Sequence, residues 1–307
     1  MDRRGVNMVA QYYVLDLNFQ GVPHTIAAYL IPHARGAVLV ECGPGSTFPR
    51  LVEALAEHGY QPSDITDVLV THIHLDHAGA VGHLARHGAT IHVHPVGAPH
   101  LVRPERLLQS ARRVFGELMD TLWGEFWPVP EEQVHVVRDE EEICIEGLRF
   151  LPLDTRGHAE HHYAYVWEGI CFSGDIGGVR LPGCRHVRLP MPPPEFHLEK
   201  WRQSLQRLQA AEVRAIAPTH FGVFTDVEWH WQAVSRLLDE IEAWLERVMP
   251  QEPSTQTLAQ ELTEWMRQRA LQDGLDEQAI HAYEVANPTW MSAAGLQRYW
   301  RKYRNAK

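Results

Sequence analysis

The stretch Val68-Leu69-Val70-Thr71-His72-Ile73-His74-Leu75-Asp76-His77 decides the reading of this chain. Three histidines and a carboxylate crowd into six positions directly behind an apolar run that reads as a buried strand. Neutral imidazole and carboxylate are the donors that zinc- or iron-type divalent ions prefer. A strand entering this segment would deliver the ligands on the loop at its end, where one ion can reach several of them. A polar surface turn is the alternative, and histidine is too infrequent for H-x-H-x-D-H behind a strand to be a casual arrangement.

Around the motif the sequence alternates strands and helices. Met8 to Leu17 and His24 to Ile31 are β-rich, separated by Asn18-Phe19-Gln20-Gly21, a hairpin connection. Ala37 to Val40 ends at the turn Glu41-Cys42-Gly43-Pro44-Gly45. Leu51, Leu55 and His58 keep helical spacing up to Gly59, and Ala78 to His87 predicts a helix stopped by Gly88. Thr90 to His94 is again a strand. Residues 96 to about 133 break the rhythm with a helical pattern from Pro104 and Glu105 through Leu122, ending in Trp123, Phe126 and Trp127. This insertion either roofs the site or packs as an ordinary surface helix. Strands resume at Val134 to Val137, Glu142 to Ile145, Leu148 to Leu153, His162 to Trp167 and Ile170 to Ser173. A proline-rich loop, Pro190 to Pro194, leads to a helix over Glu195 to Ala210 and a last strand at Val213 to Ala217. Beyond about residue 226 only helical spacing remains, in Trp229 to Val248, Thr255 to Leu271 and Thr289 to Arg304. These helices are expected to cover one face of the α/β core.

Composition narrows the function classes. The chain has 307 residues, ordinary apolar content of 45% and a formal net charge of -11. That acidic balance argues against general nucleic-acid binding, which rests on phosphate neutralisation. The basic cluster Arg298, Arg301, Lys302, Arg304 and Lys307 suits the C-terminus of a helix. No apolar run is long enough to span a membrane, and the start at Met1-Asp2-Arg3-Arg4-Gly5 leads into no secretory h-region, so the expectation is cytoplasmic. The four cysteines, Cys42, Cys144, Cys171 and Cys184, show no C-x-x-C pairing and read as reduced thiols.

A two-metal hydrolytic site needs about seven ligand groups, with one carboxylate bridging the ions. Three more candidates stand in turns just past strands: His158 after Leu148 to Leu153, Asp175 in Ser173-Gly174-Asp175, and His220 in Thr219-His220. Each occupies the loop position that the first motif occupies.

Taken in order, T-H-I-H-L-D-H, G-H, S-G-D and a terminal T-H resemble the metallo-β-lactamase superfamily over roughly residues 8 to 225. The resemblance implies an αββα sandwich: a catalytic domain over 1–226 with the insertion at about 96–133, then an all-helical extension over 227–307. It implies two divalent metal ions, zinc foremost with iron or manganese as alternatives. His72, His74 and His158 would hold one ion, Asp76, His77 and His220 the other, and Asp175 would bridge them. A hydroxide between the ions would be the nucleophile, with Asp76 as the catalytic group that orients it or accepts its proton. Such proteins commonly carry Asp-x-Gly in the first turn, where this chain has Glu41-Cys42-Gly43; the carboxylate is expected to support the metal loop through a hydrogen bond. Cys42 is not expected to be a ligand. His92, His94 and His162 read as structural, and His161 as a group that could touch substrate.

The chemistry implied is hydrolysis of a small ester, thioester or lactone, as in proteins similar to glyoxalase II. No glutathione-binding basic set is found in residues 231 to 307. Phosphodiester cleavage and a mononuclear-iron persulfide dioxygenase are the alternatives. Flavin-linked diiron reductases are excluded, because they place Glu at the position of His74. A purely structural metal is disfavoured, because structural zinc is closed by four ligands. The expected partner is a small-molecule substrate, with no membrane or nucleic acid and a homodimer left open.

Overall fold

The computed structural model describes residues 11–304. Two sheets face each other. The first contains β1 (Tyr13–Asp16), β2 (Ala27–His33), β3 (Gly36–Val40), β4 (Ile65–Leu69), β5 (Thr90–Val93) and β6 (Val134–Val136), in that spatial order. β1 to β3 are antiparallel, and β3 to β6 run parallel. The second contains β7 (Ile143–Ile145), β8 (Leu148–Asp154), β9 (Tyr163–Trp167), β10 (Ile170–Phe172) and β11 (Ala215–Ala217), in the order β11-β10-β9-β8-β7. Only its β10–β11 pair is parallel.

Period-2 alternation decides which side chains meet. Tyr29, Ile31, Val38, Val40 and Leu69 point inward against Phe150, Tyr165 and Phe172 of the facing sheet. The opposite face of the first sheet, with Leu39, Val68 and Ile91, is covered by α1 (Phe48–Glu57), α2 (Leu75–Ala78), α3 (Val81–Arg86), α4 (Ala98–Val102), α5 (Glu105–Phe115) and α6 (Met119–Trp123). The outer face of the second sheet is covered by α7 (Leu198–Gln209), α8 (Val227–Val248), α9 (Thr255–Gln272) and α11 (Thr289–Tyr299). The result is the expected αββα sandwich.

α10 (Glu277–Ala286), which the helical spacing did not predict, sends Ile280, Tyr283 and Ala286 into the core between the sheets. The Tyr283 hydroxyl donates to the His186 carbonyl at 2.8 Å and accepts from the Leu181 N–H at 3.0 Å. The helix expected at Ala78 to His87 is two pieces, and it begins earlier, inside the motif at Leu75. The helix expected from Pro104 to Leu122 breaks at Gly116, whose φ of 56° a side chain would resist, so α5 and α6 are separate. The first expected strand is shorter than Met8 to Leu17, and its residues 8–10 lie outside the described residues. No helix of the described residues is long and apolar enough to cross a membrane.

Candidate metal centre

Strand ends carry the site. β4 runs into Thr71 to His77, β8 into the loop of His158, β10 into the turn holding Asp175, and β11 into Thr219-His220. The two sheets are tied together at this end. The Tyr163 N–H donates to the Thr71 carbonyl at 2.7 Å, and the Ala27 N–H to the Thr219 carbonyl at 2.8 Å. The Tyr165 hydroxyl donates to the Val70 carbonyl at 3.1 Å. The Asp175 turn is held from outside: Trp201 Nε1 on α7 donates to the Ile176 carbonyl at 3.1 Å, and His230 Nε2 on α8 to that of Gly177 at 2.7 Å. Gly174 at its start has φ +50°, and a Cβ there would lie 2.6 Å from His162 Nε2 and from Thr71 Oγ1. Only glycine lets the turn come so close.

All seven candidate residues converge. His72 Nε2, His74 Nδ1 and His158 Nε2 form a triangle with sides of 2.9, 3.1 and 2.8 Å. His158 Nε2 lies 3.2 Å from Asp175 Oδ2, and His77 Nε2 lies 3.3 Å from Asp175 Oδ1. Asp76 Oδ2 is 3.6 Å from His77 Nε2 and 3.5 Å from His220 Nε2, which is itself 3.6 Å from Asp175 Oδ1. Thus the two oxygens of one carboxylate face two separate imidazole groups. Three sets have donor spacing suited to an ion: His72, His74 and His158; His72, His77 and Asp175; Asp76, His77 and His220.

The far side of each ring settles what the near side can do. His158 Nδ1 donates to the Pro190 carbonyl at 2.8 Å, and His220 Nδ1 to the Thr25 carbonyl at 2.7 Å. His77 Nδ1 donates to Glu41 Oε1 at 3.2 Å. The Thr71 hydroxyl donates to Glu41, leaving its oxygen to accept from His72 Nδ1 at 3.1 Å. In His72 and His158, which burial keeps neutral, the nitrogen facing the centre therefore carries a lone pair. Lone pairs 3 Å apart repel unless a cation lies between them. His77 Nε2, Asp175 Oδ1 and Glu41 Oε2 are buried without a hydrogen-bond partner. Among the described residues, no arginine or lysine pairs with Asp76, Asp175 or Glu41. Buried carboxylates left uncompensated are costly. The residues present fit divalent ions.

The titration directions divide the rings into two kinds. Burial, then the surrounding imidazoles, holds His72 well below the ordinary histidine range, and burial pushes His158 down to about 4. For His77, burial works downward, yet the charges of Asp175, Asp76 and Glu41 together carry it well above the usual value. Burial raises the Asp76 carboxyl, but His77 and His220 outweigh it and bring it to about 2. Without an ion the carboxylates hold a proton on His77, and a divalent cation would take that proton's place between them.

Supporting groups were only partly visible in the sequence. Glu41, at φ 65°, is in the left-handed region and reaches Thr71, His77 and Thr219, the last at 3.1 Å. Cys42 is buried, with its thiol 3.2 Å from the His77 carbonyl oxygen. His92 pairs with Asp67 at 2.7 Å and His94 with Asp154 at 3.5 Å, away from the cluster. His162 bonds Thr155 at 2.9 Å and accepts from the Asp175 N–H at 3.1 Å. His161 lines a cavity of about 280 Å³ that opens beside the cluster. The insertion forms one wall of that cavity and includes Trp123, whereas Trp127 turns away to stack on His83 at 4.2 Å. The carbonyls of Thr25 and Pro190, which set the ring tautomers, have no sequence signature, because every residue carries a carbonyl.

Residues 21–220 match the family model described as the metallo-beta-lactamase superfamily. A hydroxyacylglutathione hydrolase of Halorhodospira halophila is 32% identical over 156 residues, 50% of this chain and 47% of that protein. An atrochrysone carboxyl ACP thioesterase of Aspergillus fumigatus is 26% identical over 204 residues, 65% of this chain and 52% of that one. The chain spans about half the length of these curated relatives. The crystal structure of the metallo-beta-lactamase family protein TTHA1429 from Thermus thermophilus superposes with a TM-score of 0.65 at 23% identity, covering 96% of this chain and 94% of that one.

Proposed function

The chain belongs to the metallo-beta-lactamase superfamily, and on that premise we propose that it is a metal-dependent hydrolase of a small ester, thioester or lactone. The observation that carries the reading is the division of Asp175, one oxygen toward His158 and the other toward His77 and His220. His72, His74 and His158 would hold one divalent ion, Asp76, His77 and His220 the second, and Asp175 both. Such ions, zinc foremost, would supply a water deprotonated near neutral pH and Lewis acidity toward a carbonyl oxygen.

The chain's own groups prepare this chemistry. The Pro190 and Thr25 carbonyls and Glu41 hold the far ring nitrogens of His158, His220 and His77, so the near ones face the centre. Asp76 lines the cavity, and its side chain keeps 22% exposure against 4% for Asp175. It is therefore the carboxylate placed to orient the attacking water. The names of the two curated relatives support a thioester among the candidate substrates.

Metal analysis of the purified protein should return about two divalent ions per chain. A panel of thioesters including a hydroxyacylglutathione, lactones and bis-p-nitrophenyl phosphate should show turnover among the acyl substrates. Phosphodiester cleavage by metal-loaded protein that is inert toward every acyl substrate would replace this reading with a phosphodiesterase. A single iron without hydrolysis would replace it with a dioxygenase.

A further inference from the structure

Away from the candidate ligands the cavity beside the cluster has a largely apolar wall, broken by His100, Arg106, Ser110 and Glu195. Leu107, Ala111, Val114 and Phe115 line it from α5, at offsets of four, seven and eight residues that place them on one helical stripe. α5 has no fully buried residue, so this stripe is only partly used by the core. Leu107, Ala111 and Phe115 lean on the first core cluster, whereas Val114 has no place in it. Pro192 and Met291 face them from the proline-rich loop and α11. Val96 is 44% exposed, and Trp290, edge-on to Phe115 at 6.0 Å, is 43% exposed. Of the lining residues, Arg106 is the single arginine or lysine. A substrate carrying several carboxylates would find one fixed cation there and meet Glu195.

We propose that this slot holds an apolar arm of the substrate, an alkyl or aryl group attached to the reacting carbonyl compound. The cavity of about 280 Å³ also takes in the space over His74, Asp76, His158, Asp175 and His220, so the reacting group and the arm share it. The reacting carbonyl rests on the hydrolase reading above; the apolar arm rests on the cavity alone. The slot therefore selects esters or thioesters of medium-length chains or aryl acids over polar peptide conjugates.

Two ester series on the metal-loaded enzyme test it: p-nitrophenyl esters from acetyl to decanoyl, and alkyl acetates of the same lengths. In at least one series kcat/KM is expected to rise about threefold to fourfold per methylene, the transfer value of a buried CH2, and to level off before decanoyl, once the arm fills the slot. A flat or falling profile in both series overturns the proposal. Val114→Trp should lower the octanoyl-to-acetyl ratio by about tenfold or more, and Val114→Ala should raise it or shift the optimum to longer arms. If Val114→Trp folds poorly, Met291→Trp reads the same ratio from the opposite wall; an unchanged ratio in these variants counts against the slot. Calorimetric binding of hexanol, octanol and decanol separates the two readings. Length-dependent binding without hydrolysis of any acyl substrate keeps the slot and removes the hydrolase. Hydrolysis without length-dependent binding or rate keeps the hydrolase and removes the slot.

Discussion

Asp175 turns its two oxygens to opposite sides, and nothing in a merely structural turn requires that. Asp175→Ala is therefore expected to lose at least one ion and to cut turnover by about 100-fold or more, since a misplaced nucleophile alone costs that much. Full metal content with retained turnover would make it a turn residue only. Glu41 gives a subtler case. Its Oε1 orients His77 and receives the Thr71 and Thr219 hydroxyls. Glu41→Gln keeps the shape and removes the charge, so metal affinity should fall about 10- to 100-fold in competition with a chromophoric chelator. Unchanged affinity would reduce Glu41 to satisfying two hydroxyls. His72, His74, Asp76 and His77 are legible together because one short loop carries them. His158, Asp175 and His220 are legible because each follows an apolar run at a turn. The tautomer-setting carbonyls are not, because backbone atoms leave no trace in residue identity.

Between elements, the same polar chemistry joins strand ends. Asp154 closes β8, takes Arg156 bidentately at 3.0 and 2.9 Å, and lies 3.5 Å from His94 just beyond β5. Burial alone would raise its carboxyl, but His94 and Arg156 outweigh burial and bring it down to about 2. A folded-state pKa below the unfolded value near 4 stabilises the fold above that value, and the contribution disappears as pH falls from about 4 to about 2. Asp154→Asn should lower Tm at pH 7, and the gap from the parent should close across that acid window. A gap constant with pH would assign the loss to packing. Helix boundaries were the less legible part at this scale. Leu75, Asp76 and His77 read as a ligand loop, and they are also the first turn of α2. The sequence does not announce α10, because its larger buried side chains, Ile280 and Tyr283, are joined only by the small or partly buried Ala279, Ala282, Val285 and Ala286. They form a thin stripe until Tyr283 is seen bridging Leu181 and His186. The insertion's role as a cavity wall was equally hidden, since an amphipathic stripe looks the same whether it faces a core or a substrate.

For the whole molecule, the question is whether the helices after residue 226 are a separate body. Their side chains argue for one cooperative unit. Trp231, Leu238 and Leu245 of α8 share a core cluster with Trp201 and Leu205 of α7 and Ile216 of β11. Tyr283 of α10 shares another with both sheets. His230 reaches the Asp175 turn directly, and Asp226 takes Arg180 bidentately at 2.7 and 2.9 Å, while the Arg180 N–H donates to the His220 carbonyl at 2.6 Å. Each fully buried apolar side chain contributes about 1.5–3 kcal/mol relative to exposure. Losing three or four from α8 alone removes stability comparable to the roughly 5–15 kcal/mol of a whole domain. Urea unfolding of the full chain, followed by far-ultraviolet circular dichroism and by tryptophan fluorescence, should give coincident single transitions. A chain cut after Asp226 should neither fold nor bind metal. If residues 1–226 folded alone and took up two ions, α8 to α11 would be an accessory layer, and the His230 contact to the Asp175 turn would be dispensable.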